Sequence, residues 1–274
     1  MLRSLAAAGA GVVAGAADHG FVYQRHHLTV TRATLQVSGL ADALSGLRIG
    51  LLTDLHRSDT VSHAMADTAV QALLAEDVDL IVLGGDYVTW GGGRARRFVT
   101  PAAESLAPLT ARHGVFAVLG NHDDDHDMPA ALTRNGFTVL RDARTRIAVR
   151  GEPLDLAGIR FWTRKAVDIA RIIKGASSNL ILLAHNPARL PEAASLTVPL
   201  MLSGHTHGGQ IVLPGLGAVA AREFPVVEGQ ARRDATTIFV SRGVGTVYIP
   251  IRLNCPPEVA VLTLEPVLQG VQAL

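Results

Sequence analysis

Cysteine is nearly absent from this sequence of 274 residues, and charge of either sign is sparse. The single cysteine, Cys255, excludes an internal disulfide framework and a zinc site built from cysteines. Lys, Arg, Asp and Glu make up 18% of the chain and leave a formal net charge of +1, so no strong field attracts nucleic acid or anionic lipid to the whole surface. We therefore expect no specific nucleic-acid partner.

The sequence also lacks a Ser/Pro-rich linker, a block of like charge and an internal repeat. Apolar residues make up 48% of it, which is typical of a chain that buries a globular core. We therefore predict a single domain over residues 26–274, preceded by a separate N-terminal segment.

The N-terminal segment, residues 1–25, has no apolar run long enough to span a bilayer comfortably. Residues 5–17 match the apolar core of a signal peptide in length, and Ala14-Gly15-Ala16 offers small residues for cleavage. This pattern predicts a membrane-associated or exported protein that touches a membrane surface through its N-terminus. The Ala and Gly content makes the run weakly hydrophobic, so the alternative is a loose terminal helix of a cytoplasmic protein.

From about residue 28, short β-type runs alternate with helical segments, as in a single α/β domain. Helical segments are predicted near residues 60–75 and 167–174, and a polar or helical segment is predicted near residues 101–109. Strands are predicted at residues 28–37, 47–53, 80–83, 115–119, 137–140, 147–149, 154–161, 180–183, 200–202, 237–240 and 259–264. Five of these strands end in residues that can bind metals, and open α/β sheets bind ligands at the carboxyl ends of their strands.

Seven side chains at these strand ends can each offer a ligand to a metal ion. Asp54 and His56 are two residues apart in extended backbone, so both project to one side and can reach one ion. Asp86 follows a glycine pair that permits a sharp turn, and its two carboxylate oxygens can bridge two cations. His205 and His207 lie in a glycine-framed loop. The complete set is Asp54, His56, Asp86, Asn121, His185, His205 and His207.

Each motif taken alone also has a structural explanation. Asp54 with His56 fits a turn aspartate beside a surface histidine, and Asp86 fits a turn residue. Asn121 fits a left-handed turn, and His185 fits a satisfied core histidine. Their shared position after apolar strands favours the metal site, whereas the polar run at residues 124–127 fits a solvated loop and is left outside it.

The candidate ligands fall into five ordered motifs. These are Asp54-x-His56, Gly84-Gly85-Asp86, Gly120-Asn121-His122-Asp123, His185 and Gly204-His205-x-His207. Over residues 48–210 they resemble the blocks of calcineurin-like metallophosphoesterases, and the N-terminus with residues 28–46, 241–245 and 256–258 resembles the small bacterial YaeI-like phosphoesterases. The resemblance implies an α/β fold, a four-layer αββα sandwich with two mixed β-sheets and the metals at one sheet edge.

By this resemblance, one divalent ion takes Asp54, His56 and His207, a second takes Asn121, His185 and His205, and Asp86 bridges the two. Oxygen and nitrogen ligands without thiolate suit Mn, Fe, Zn, Co or Ni. Two ions about 4 Å apart can activate a bridging water as hydroxide for attack on a phosphodiester or diphosphate. The resemblance makes His122 and Asp54 the catalytic residues, with His122, held near Asp123 or Asp54, protonating or stabilising the leaving oxygen.

The substrate is predicted less closely than the reaction. Arg94, Arg96 and Arg97 follow Asp86 in the sequence, so their guanidinium groups can meet phosphate or diphosphate, although a solvated basic loop is the alternative. Two rival functions stay open. One is a lipid-linked UDP-sugar pyrophosphatase of the UDP-2,3-diacylglucosamine type at the membrane, and the other is a non-catalytic metal-binding protein of the same fold.

Overall fold

Twelve strands make up two sheets in the described part of the chain, which is residue 15 with residues 18–89 and 96–267 of this computed structural model. In chain order they are β1 (Thr29–Val37), β2 (Leu47–Leu52), β3 (Leu80–Leu83), β4 (Val115–Ala117), β5 (Thr138–Val139), β6 (Ala143–Val149), β7 (Glu152–Gly158), β8 (Leu180–Leu183), β9 (Leu200–Ser203), β10 (Gly229–Arg233), β11 (Thr236–Val240) and β12 (Glu258–Pro266). The first sheet has the order β1-β12-β2-β3-β4-β5, and the second has the order β10-β11-β9-β8-β7-β6.

Five α-helices cover the outer faces of these sheets in the described residues. They are α1 (His63–Leu74), α2 (Val99–Leu106), α3 (Asp127–Arg134), α4 (Ala166–Ile173) and α5 (Leu190–Ser195). The Ser62 side chain caps α1 by accepting a hydrogen bond from the Met65 amide, and the helix buries one apolar stripe that includes Ala66, Val70 and Leu73. Helices α1 to α3 pack on the first sheet, and α4 and α5 pack on the second.

The central strands are buried on both faces. In β2, Ile49 and Leu51 point into the layer between the sheets, where Leu156 and Ile181 of the second sheet also lie. The adjacent Leu52 belongs instead to the core beneath α1. Burial on both faces explains why such strands read as continuous apolar runs. The layers run helix, sheet, sheet, helix, so the predicted four-layer αββα sandwich is confirmed.

Both sheets are mixed, and their parallel strands set the position of the site. Strands β2, β3 and β4 are parallel neighbours in the first sheet, and β7, β8 and β9 are parallel neighbours in the second. Strand β12 runs antiparallel to β2, and β10 runs antiparallel to β11. Because parallel neighbours end at the same edge of a sheet, the loops that follow β2, β3 and β4 meet at one place, as do those that follow β8 and β9.

Each strand and helix predicted from the sequence has a counterpart in the structure, although several bounds differ by up to four residues and three elements were not predicted. Strands at residues 80–83 and 180–183 have the predicted bounds, and β1 lies at the edge of the first sheet. Helices α3 and α5 and strand β10 were not predicted. Both helices carry a proline, Pro129 or Pro191, in the first turn, where proline is tolerated, and β10 is a short edge strand with two exposed arginines.

The N-terminal segment is only partly described. Residues 1–14, 16 and 17 lie outside the described residues, and residues 19–26 form two short helical turns. The Arg252 amide donates a hydrogen bond of 3.2 Å to the Gly20 carbonyl and joins these turns to the domain. In the described part of the chain, no helix is both long and apolar enough to cross a membrane. The division at residue 26 and the export or tethering role stay predictions.

Candidate metal centre

Strained backbone marks the loops that carry the predicted ligands. Five of these seven residues have a left-handed φ: Asp54 (53°), His56 (49°), Asp86 (55°), His205 (74°) and His207 (52°). Non-glycine residues rarely adopt this conformation, and such strain collects at functional sites, where the surrounding structure enforces it. The strained residues lie at strand ends from both sheets, and their side chains converge.

Asp54, His56 and His207 form the first group of potential ligands. The Nε2 atoms of His56 and His207 are 3.0 Å apart. Asp54 Oδ1 lies 3.4 Å from Nε2 of His207 and 4.0 Å from Nε2 of His56. All three side chains are buried. Their donor atoms lie close enough together to bind one cation placed between them.

Asp86, His185 and His205 form the second group. Nε2 of His185 lies 3.1 Å from Asp86 Oδ2 and 3.2 Å from Nδ1 of His205. The same Asp86 oxygen lies 3.5 Å from Nε2 of His56, which belongs to the first group. One oxygen of Asp86 therefore lies within 3.5 Å of an imidazole nitrogen from each group, while its bridging role stays a prediction.

Asn121 supplies a test of whether these residues fit metal ions. Its Oδ1 atom is buried, and no hydrogen-bond partner for it is present among the described residues. A buried carbonyl oxygen left unpaired costs about 1–3 kcal/mol, a cost that a bound cation removes. Asn121 lines the same cavity as Asp86 and His205. Unpaired oxygen, clustered imidazole nitrogens and two carboxylates fit a pair of divalent cations.

Burial also sets the charges of these side chains. It lowers the pKa of His56 and of His205 to about 3, and it holds the pKa of His207 well below its usual value. Neutral imidazoles of this kind offer the lone pairs that metals bind. Burial alone would lower the pKa of His185, but the neighbouring Asp86 carboxylate raises it to about 10. Burial raises the pKa of Asp54 to about 6.

Several hydrogen bonds orient the potential ligands. The Asp54 carboxylate accepts from the Thr53 hydroxyl at 2.7 Å and from the His205 amide at 3.0 Å. Nδ1 of His185 lies 2.8 Å from the Gly84 carbonyl, a contact that directs Nε2 toward Asp86 and His205. These hydrogen bonds fix the orientation of Asp54 and His185, which follow strands of different sheets.

Close backbone approaches depend on two glycines. A side chain at Gly120 would collide with the Asp86 carboxylate, and one at Gly204 would collide with Asp54 and Thr53. The glycines that frame the sequence motifs are therefore needed for space beside the carboxylates.

His122 and Asp123 have different surroundings. The Asp123 carboxylate accepts hydrogen bonds of 2.8 to 2.9 Å from the backbone amides of Asp86, Tyr87 and Gly120, so it joins two ligand loops. The His122 ring packs edge-on against His56 with the ring centroids 4.9 Å apart. Its amide donates to Asp86 Oδ1 at 2.8 Å, and burial lowers the pKa of its side chain. Its acid role stays a prediction.

The three arginines predicted to meet phosphate are only partly described. Arg94 lies outside the described residues. Arg96 pairs with Asp127 and Arg97 pairs with Asp59, and neither arginine lines the cavity above the candidate ligands. A substrate-binding role for these arginines stays a prediction.

Arg252 is an important residue that sequence reasoning missed. Its guanidinium group is fully buried and donates to the carbonyls of Arg242 (2.8 Å), Gly243 (3.1 Å) and Gly245 (2.6 Å). It also lies 3.4 Å from Nδ1 of His207. The sequence feature that could have pointed to Arg252 is the motif at residues 241–245, whose carbonyls it binds. The Gly245 amide of this motif donates to the Asp54 carbonyl at 2.7 Å. Arg252 thus anchors the loop that backs the first ligand group.

Replacing Arg252 with Met should lower the free energy of unfolding by about 3 kcal/mol, because several buried carbonyls lose their donor. Equilibrium urea unfolding measures this loss. Arg232→Met is a matched control, since Arg232 is exposed, and its effect should stay within about 0.5 kcal/mol. Equal stability of the two variants would contradict the anchoring role.

Comparison with known proteins gives concordant results. Residues 47–209 match the family model described as calcineurin-like phosphoesterase. The chain is similar to the metallophosphoesterase YkuE of Bacillus subtilis, with 30% identity over 94% of this chain and 93% of the relative. It is also similar to the phosphodiesterase YaeI of Escherichia coli, with 33% identity over 81% of this chain and 84% of the relative.

Among solved structures, the NAD nucleotidase NadN of Haemophilus influenzae aligns with a TM-score of 0.50 and 12% identity, over 72% of this chain and 45% of that chain. At this identity the likeness concerns the fold alone. It agrees with the two mixed sheets and their flanking helices.

Proposed function

Because the chain belongs to the calcineurin-like phosphoesterases and is a metal-dependent phosphohydrolase, we propose that it hydrolyses phosphodiesters at a centre of two divalent metal ions. The observation that carries this proposal is the position of Asp86 Oδ2, 3.1 Å from Nε2 of His185 and 3.5 Å from Nε2 of His56. Two ions that share such a carboxylate supply activation of water and neutralisation of phosphoryl charge when bound.

The proposed ligands follow the two groups of side chains. Asp54, His56 and His207 would hold one ion, and His185 and His205 with Asn121 would hold the other. Asp86 would contribute to both. The unpaired Oδ1 of Asn121 and the burial-neutralised imidazoles support this division. The mixed oxygen and nitrogen donors suit Mn, Fe, Zn, Co or Ni. Asp54 acts by holding its ion.

His122 is proposed as the group that transfers a proton to the leaving oxygen. Of the histidines that line the described cavity, it is the one outside the two ligand groups. Its ring packs edge-on against His56 and lines the cavity together with Asp86 and Asn121, which places it at the reacting end. The His122 amide donates a hydrogen bond to Asp86 Oδ1, which fixes the Asp86 carboxylate beside the His122 backbone.

A diester suits this cavity better than a more highly charged substrate. None of the described residues that line it is Lys or Arg, whereas monoester dianions and diphosphates are usually met by such cations. A diester carries a single negative charge on its phosphate. The similar protein YaeI is named a phosphodiesterase, which also favours a diester as the substrate. The lipid-linked UDP-sugar alternative stays a prediction.

A substrate panel tests the proposal. With protein reconstituted with Mn, kcat/KM for bis-p-nitrophenyl phosphate should exceed that for p-nitrophenyl phosphate by about tenfold or more, since the monoester adds a charge without a cationic partner. Cyclic nucleotides and UDP-sugar lipids complete the panel. A faster monoester would contradict the diesterase assignment, and a strong preference for the UDP-sugar lipid would favour the diphosphate alternative.

A further inference from the structure

The cavity above the candidate ligands has two chemically different parts. It measures about 540 Å³, and one part is formed by the metal-facing side chains of Asp86, Asn121 and His205. His122 and residues 206–210 also line it near the ligands, and the remaining lining comes from two loops, residues 211–224 after the last ligand and residues 247–249 after β11. These loops contribute mainly apolar side chains, including Ile211, Leu213, Val219, Phe224, Val247 and Ile249. We call this part the apolar wall.

The apolar wall begins in contact with the ligands and continues into solvent. Phe224 packs edge-on against His205 with the ring centroids 5.3 Å apart. Farther out, Val219 is 47% exposed and Ile249 is 48% exposed. Leaving such side chains in water costs about 25 cal/mol for each Å² of apolar surface, and contiguous exposed apolar surface marks a binding site.

The outer part of the wall is held in a strained conformation. Tyr248 has a φ of +62°, which is unfavourable for a bulky residue, and its side chain is 90% exposed. The Gln210 side chain holds this loop by donating to the carbonyls of Val247 (3.3 Å) and Ile249 (2.8 Å) and accepting from the Val247 amide (2.9 Å). The Tyr248 ring is thereby kept 6.4 Å from the His122 ring.

We propose that the apolar wall binds an alkyl or acyl chain carried by one ester arm of the substrate, so that the preferred substrates are phosphodiesters with one long apolar substituent. This inference rests on the proposed diesterase function. The occupant is the substrate's own arm because the wall and the ligand groups share one cavity, so a phosphate held at the ligand groups would have its ester substituents beside the wall. No described residue of the wall carries a charge that would pair with a second phosphate.

A series of p-nitrophenyl alkyl phosphates tests this assignment on Mn-loaded protein. Each methylene that enters the wall should raise kcat/KM by about two- to threefold, and hexyl should exceed methyl by at least about tenfold. Val219→Ser and Ile249→Ser should flatten this dependence on chain length. Val167→Ser is the matched control and should keep it, since Val167 is 54% exposed on α4 and does not line the cavity.

Binding gives a readout that does not need turnover. Calorimetric titration of the Mn-loaded protein should show n-hexyl phosphate, below its micelle concentration, binding at least about tenfold tighter than methyl phosphate. The two serine variants should reduce this ratio, and Val167→Ser should not.

The outcomes separate this inference from the proposed function. Equal binding of hexyl and methyl phosphate, or a flat kcat/KM series with active protein, overturns the apolar wall as a substrate site. Tighter binding of the hexyl ligand by protein that hydrolyses none of the diesters supports the wall and counts against the diesterase proposal alone.

Discussion

Asp86→Asn is expected to reduce kcat/KM for a phosphodiester by about 10³-fold or more, equivalent to about 4 kcal/mol of lost transition-state stabilisation. Asp86 Oδ2 is the atom within 3.5 Å of both ligand groups, so its loss affects both ions at once. Asparagine keeps the shape of the side chain and an acceptor for the His122 amide, which leaves the fold intact. The effect should therefore appear in catalysis and not in folding.

Steady-state kinetics, metal content and thermal unfolding of this variant should be measured together. Asp125→Asn is the matched control, because Asp125 lies in the neighbouring loop, pairs with Arg141 at 3.0 Å and is partly exposed. The control should keep its activity and two ions per chain, whereas Asp86→Asn should bind fewer. Undiminished activity of Asp86→Asn would refute the bridging role.

Loading the protein with Mn should raise its melting temperature by about 10 °C when free metal is at about 1,000 times its dissociation constant. The physical reason is that the buried donor atoms of Asp54, Asp86 and the four histidines are crowded together, with nitrogens 3.0 and 3.2 Å apart. A cation bound between these donor atoms would remove the repulsion between their lone pairs and would stabilise the folded state. Scanning fluorimetry with chelator and with graded Mn measures the shift.

Variants with one ligand removed from each group show whether two ions are present. His207→Ala affects the first group and His185→Ala the second, so each should retain about one ion and part of the thermal shift. His126→Ala, an exposed histidine in the loop after Asn121, should behave as the unaltered protein. Saturation of the unaltered protein at one ion per chain would contradict a dinuclear centre.

Much of this fold was predictable because its central strands are buried on both faces. The runs at β3 and β8 are continuously apolar, the run at β2 is broken only by Arg48, and no helical periodicity competes with them. Helices α3 and α5 were missed because local proline and polar residues indicate loops, and only packing against the sheets stabilises these short helices.

The candidate site was predictable in its residues and less so in its surroundings. The six predicted Asp and His ligands lie in two compact groups, with Asp86 Oδ2 3.5 Å from Nε2 of His56 in the other group, while the role of all seven residues as metal ligands stays a prediction. The role of Asp123 in joining loops and the burial of Arg252 were not predictable, since both depend on backbone amides and carbonyls from distant parts of the chain. Arg96 and Arg97, prominent in sequence, pair with surface carboxylates.

The sequence by itself determined the chemical types of the donors, their order after apolar strands and the membership of a phosphoesterase family, because side-chain chemistry and strand periodicity are local properties. Only the tertiary structure decided that residues as distant as Asp54 and His207 lie 3.4 Å apart, that one oxygen of Asp86 reaches both groups, and that an apolar wall adjoins them. These features arise from the face-to-face packing of the two sheets, which brings the ends of their parallel strands to one side of the molecule, and no local pattern specifies that packing.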